Sequence, residues 1–269
     1  MRADLRRIRA IGKKELITLT SYKINMIMNI LNLWYFAISF YFIGEFVGDP
    51  ESIRELDGGY FEFVLIGAIV TSFAIVGMQS FGGQIREEQN EGTLEAILAT
   101  PTPMWTILAA SYIVPAIFVI AETTVLVIVG LGIFGAGIPV GGLLRAIPLL
   151  LLTTASFVPL GIFSAAFIVL VKRGDPFSGP ARQLTLLLSG ALYPLSVLPG
   201  WLAAVAKIVP ATYGVRATRQ LVQGDAGLGD VTFEIAVLAG FAVVAMPLAI
   251  LVFRRAVTEA RRAGTLATY

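Results

Sequence analysis

Long apolar runs alternate with short charged segments along this chain. A helix needs roughly 20 apolar residues to cross a ~30 Å hydrocarbon core. Six runs predict spans at about 24–43, 60–82, 104–134, 147–171, 184–198 and 233–253. The fifth is the shortest and is closed by Pro194 and Pro199.

Three further segments do not read as plain spans. In residues 3–22, Leu5, Ile8, Gly12, Leu16 and Leu19 recur every three or four positions and share one helix face. Arg2, Arg6, Arg9, Lys13 and Lys14 lie on the other side. The pattern predicts an amphipathic helix in the headgroup layer; the plainer reading is a basic flank that only sets topology. In residues 91–100, Leu94, Ile97 and Leu98 form a short apolar knob, while Glu91 and Glu95 share another face. Asn90 or Thr93 can cap this helix, and Pro101 and Pro103 stop it. Two turns cannot stand alone. The rest of the chain, the membrane surface or a second protein must cover the knob.

The third segment, 199–222, is half apolar and broken by Pro210. Trp201 and Tyr213 favour a membrane interface. Non-helical backbone at membrane depth survives only when buried in protein or lining a water cavity. The segment is therefore expected to be re-entrant; the plainer reading is a proline kink and an external loop. The expected fold is an all-α integral membrane protein, one domain over 1–269. It has six transmembrane helices, an N-terminal amphipathic interfacial helix and a re-entrant segment before the last span.

Composition removes the soluble alternative. Apolar residues make up 57% and charged residues 14%, against about 45–50% and about 25% in soluble domains. Charge placement sets the orientation. With the N-terminus inside, the inner segments hold fifteen Lys and Arg and the outer segments five. This predicts a multi-pass protein of the cell membrane with both termini cytoplasmic. The N-terminal basic stretch followed by a full span is not a cleaved signal peptide.

Candidate chemistry is sparse. With no Cys and no His, thiol nucleophiles, His-ligated metals and Ser–His pairs are excluded. Ser164 has no lysine in its span to activate it. Gly12-Lys13-Lys14 lacks the upstream glycine and the hydroxyl of a phosphate loop. No catalytic, cofactor or metal site is expected, and no basic–aromatic pattern marks nucleic acid. Glu122 is the one ionisable residue well inside a span, a candidate intramembrane polar site. Its blander readings are a position at the outer third of a span, or pairing with Ser or Thr across a helix interface.

Two motifs carry a resemblance. One runs from Arg86 through Glu87, Glu88, Gln89, Asn90, Glu91, Gly92, Thr93, Leu94 and Glu95 to Thr100-Pro101. The other comprises Tyr193-Pro194-Leu195-Ser196, Leu198-Pro199-Gly200-Trp201 and Pro210-Ala211-Thr212-Tyr213, followed by Arg216 and Arg219. With the six-span layout and basic N-terminal helix, the chain resembles the membrane subunit of type-2 ABC exporters of the drug and polysaccharide-export type. The resemblance implies a dimer, with a second copy or a homologous permease, bound to separate ATP-binding subunits that hold the ATP and Mg. Residues 91–100 would be a cytoplasmic coupling helix, with Glu91, Gly92, Thr93, Leu94, Glu95, Ile97 and Leu98 meeting the ATPase. Residues 3–22 would be a connecting helix, and 172–180 a second cytoplasmic contact. Tyr193, Pro194, Pro199, Pro210 and Tyr213 would belong to an outer gate. The expected function is export of an amphipathic substrate: a drug, a lipid or a lipid-linked glycan. The alternative is a membrane scaffold or assembly subunit of a cofactor-export or maturation system.

Overall fold

The computed structural model describes residues 23–47, 59–99, 104–171, 175, 177–224 and 226–262. The expected interfacial helix at 3–22 lies outside them. The described elements are helical: α1 (Lys23–Val47), α2 (Tyr60–Asn90), α3 (Leu94–Ala99), α4 (Met104–Gly132), α5 (Val140–Val171), α6 (Ser178–Leu188), α7 (Gly200–Ala206), α8 (Pro210–Gln223) and α9 (Thr232–Arg262). A single 3₁₀ turn, Leu195–Val197, lies between α6 and α7.

Among the described residues, four helices are long and apolar enough to cross a membrane: Tyr60–Asn90, Thr106–Gly132, Val140–Val171 and Thr232–Arg262. They match the second, third, fourth and sixth expected spans, and α1 occupies the place of the first. The fifth expected span is corrected. Helix α6 has 11 residues, about 16 Å of rise, and ends at Leu188 rather than continuing to 198. The apolar run goes on, but Gly190 turns to φ +72°, a conformation that L side chains rarely adopt. The segment 199–222 forms two helices, α7 and α8, with Pro210 at the first turn of α8, where its missing N–H costs nothing.

Helix α2 is the central element. In its most apolar stretch 78% of residues are buried, against 28% in α4 and 11% in α9. It packs chiefly along α5, which also carries α9 and α8 on its other sides. Small residues permit the close approach, as is usual where helices meet in lipid. A Cβ on Gly77 would lie 2.3 Å from the Thr154 carbonyl oxygen, and one on Gly161 would lie 2.8 Å from that of Met78. The Tyr112 hydroxyl donates to the Gly77 carbonyl at 2.9 Å, joining α4 to the same contact.

Two apolar clusters sit at opposite ends of α2. Near Tyr60, the rings of Tyr41, Phe61 and Phe134 join α1, α2 and the end of α4, with centroids 4.6–5.6 Å apart. Near Asn90, Phe81, Ile85 and Leu94 pack with Ile162–Val169 of α5 and with Ala249, Phe253, Ala256 and Ala260 of α9. Phe81 meets Phe253 edge-on at 5.2 Å.

Candidate functional site

At the Asn90 end, α2 stops in a turn built by sequence. Gly92 adopts φ +70°, as a glycine following a helix C-cap commonly does. The Thr93 N–H donates to the Glu88 carbonyl at 2.9 Å, and the Gly92 N–H to that of Gln89 at 3.1 Å. These two bonds are a Schellman motif. The Thr93 hydroxyl donates to the Glu88 carboxylate, and the Gln84 amide donates to the other carboxylate oxygen at 3.1 Å. Glu88 is buried here at 3% exposure. Thr93 also starts α3, its carbonyl accepting from the Ile97 N–H at 3.1 Å.

This arrangement corrects one sequence expectation. Leu94 does not project outward as part of a knob: its side chain is 1% exposed and buried in its own subunit. Apolar periodicity shows that a face must be covered but not by what. The outward surface of the turn and α3 is Glu91, Gly92, Glu95 and Ala96, all exposed, with Ile97 half-buried. The Leu98 side chain lies outside the described residues.

At the far end of α2, the break between α6 and α7 exposes backbone carbonyls that a continuous helix would have paired. Five of them find a side-chain donor. Tyr193 donates to Leu187 O at 2.6 Å, Thr212 to Leu188 O at 3.1 Å, and Tyr60 to Leu192 O at 3.2 Å. Arg219 donates to Gly190 O at 3.0 Å, to Ala191 O at 3.1 Å and to Phe63 O of α2 at 2.9 Å. Its guanidinium carbon stands 3.4 Å from the Phe63 ring centroid, a cation–π contact. The break lies directly on α2, for a Cβ on Gly67 would fall 2.3 Å from Ala191 O.

The other expected gate residues have local roles. Tyr213 donates to Lys207 O at 2.8 Å. Pro194 precedes the 3₁₀ turn, Pro199 precedes α7, and Pro210 opens α8. Sequence reasoning placed Arg219 in the second motif and among the outer charges but gave it no role of its own. Its neighbour Arg216, one turn back, is mostly exposed and pairs with the buried Glu234 of α9 at 3.4 Å. A sequence signal exists in the spacing, since Val215, Thr218 and Arg219 share a helix face and are all buried.

The structure does not bring Glu122 to either end. Its side chain is exposed on the outer side of α4, remote in sequence from both sets of residues.

Asp175, ahead of α6, caps the first N–H groups of that helix. Its carboxylate accepts from the Phe177 and Ser178 N–H groups at 3.1 and 3.0 Å, as an anion at a helix start does. The Ser178 hydroxyl also meets Ser164 of α5 at 3.1 Å. Burial pushes the Asp175 carboxyl up, but hydrogen bonds from Ser178, Ser164 and Phe177 outweigh it and hold the group below its ordinary 3.8. A depressed folded value stabilises the fold above the unfolded value, and that contribution is lost as pH falls. The start of α6 should therefore lose hydrogen-exchange protection below pH 3.8 in the wild type. Asp175→Asn should remove that pH dependence; an unchanged acid transition in the variant would refute the role.

The described residues thus form a core of long apolar helices with polar joints at both ends of one central helix. The sequence matches the ABC-2 type transporter model over residues 6–222, and the chain belongs to that family. Members are membrane subunits of ABC transporters, not themselves catalytic, and typically work as dimers with an ATP-binding subunit. Comparison with curated proteins gives no match.

Proposed function

We propose that this chain is the membrane-spanning subunit of an ATP-driven exporter. It lines the path of an amphipathic substrate, a drug, lipid or lipid-linked glycan, and couples to a separate ATPase through the outward surface of 91–99. The observation that carries the reading is the continuity of α2. Its 31 residues span about 46 Å, well beyond the ~30 Å hydrocarbon core. One end bears α3 on a hydrogen-bonded turn, and the other is tied through Phe63 O to Arg219 and the broken 189–199 backbone.

In this reading the Asn90 end is cytoplasmic and 189–223 is the re-entrant outer gate. Closure of the ATPase moves α3, α2 follows because the turn between them is closed by backbone bonds, and the packed α2–α5 pair moves as a rigid body. Such a change needs differential contact with two states of the ATPase, not chemistry in this chain.

Ala96→Arg tests the docking surface, because Ala96 is exposed and contributes nothing to the core. The tagged variant should lose co-purification of the ATP-binding subunit from mild detergent while melting at the wild-type temperature. Undiminished recovery of the ATPase would overturn docking through this face. Wild-type chain recovered with other membrane proteins and no ATPase would favour the scaffold alternative.

A further inference from the structure

The face of α8 that carries Arg219 opens onto a cavity of ≈720 Å³, within the ~300–1,000 Å³ range of small-molecule sites. Among the described residues, Lys207, Arg216 and Arg219 line it and no Asp or Glu does. Arg216 is paired with Glu234 behind the wall. Three cations and one carboxylate leave two positive charges uncompensated. Arg219 is buried to 9% exposure, and its three acceptors are neutral carbonyls. Such dipoles solvate the guanidinium but do not cancel its charge. Two buried polar atoms of lining residues, Arg219 Nε and Gln223 Oε1, have no hydrogen-bond partner among the described residues. Buried polar atoms are rarely left so.

Two aromatic rings also line it: Tyr213 and Phe233 stand 6.1 Å apart, edge to face. We infer that this cavity binds a phosphoryl group carried on an amphipathic molecule. A phosphate monoester carries about −1.5 to −2 charge at neutral pH, which matches the surplus. Lys and exposed Arg donors suit its oxygens, while the rings cover adjoining apolar atoms. Arg219 at the base supplies the field, and Lys207 and Arg216 supply the movable donors. Phe63, another lining residue, lies about 40 Å along α2 from Asn90, so the site is remote from the docking surface of 91–99. Binding is independent of the exporter reading and is measured without the ATPase, so the two can fail separately.

The test uses the full chain in phosphatidylcholine nanodiscs. The probe is a fluorescent short-chain phosphatidic acid, with diacylglycerol of the same chains as the uncharged control. Phosphatidic acid should bind saturably, at least about tenfold tighter than diacylglycerol, and more weakly at high salt. Lys207→Glu and Phe233→Glu place carboxylates at exposed lining positions, so neither disturbs the core. Each should weaken binding by about tenfold or more at unchanged melting temperature. Displacement by millimolar inorganic phosphate would support the site with the free anion as a sufficient ligand. Displacement by unlabelled phosphatidic acid alone would support it with a lipid-borne group. Equal affinity for diacylglycerol, or unchanged affinity in both variants, would overturn the inference.

Discussion

Arg219→Leu should unfold the Tyr60 end of the helical core. The side chain is the donor for three carbonyls from two separate elements, and leucine supplies none. A buried acceptor left without a partner costs about 1–3 kcal/mol. Removing the buried cation returns part of that, so a net loss of about 3 kcal/mol is expected. It should appear as a lower melting temperature of the purified chain and faster hydrogen exchange over 189–199. Arg219→Lys should fall between, because an ammonium keeps the charge but cannot reproduce the planar fork. A leucine variant that melts with the wild type would show that the carbonyls are satisfied some other way.

Leu94→Asp should release α3 from the subunit. Leu94 fills an apolar cluster with Phe81 and Ile85, and losing such a side chain costs about 2–5 kcal/mol. Six residues of helix cannot stand alone, so the aspartate will turn to water and α3 will fray beyond the turn that joins it to α2. Hydrogen exchange over 94–99 should accelerate, and ATPase association should fail as a consequence. The comparison with Ala96→Arg separates the causes: both variants lose the partner, but only the Leu94 variant loses protection of α3. Retained protection in Leu94→Asp would refute the core position of that side chain.

Much of the architecture was legible because apolar run length is a direct image of helix length in a membrane. Four expected spans coincide with four long helices, whereas 91–93, expected inside the short helix, form the turn between α2 and α3. What was lost depended on distant partners. The run 184–198 carries no charged residue, so a local window reads it as one span. The backbone can break there because Thr212, Arg219 and Tyr60 supply donors from 20 or more residues away. Helix α5 begins at Val140, ahead of the expected 147, because Arg145 lowers apolarity without opposing helicity. Near its start, Gly142 rests against the Val222 backbone, where a Cβ would lie 2.7 Å away. Leu94 shows the same limit: its spacing demanded a cover, and the cover turned out to be the cluster of α2, α5 and α9.

The Schellman turn has a mechanical consequence. A joint closed by two backbone bonds and a buried carboxylate is stiff, so α2 with α3 at its foot is a lever rather than a hinged pair. With the fulcrum near Asn90, a rotation of about 5° carries Phe63 roughly 3.5 Å sideways. That stroke exceeds the 2.9 Å length of the bond from Arg219 to Phe63 O. Arg219 must therefore either travel with the lever arm, dragging Gly190 and Ala191 along, or let go of it.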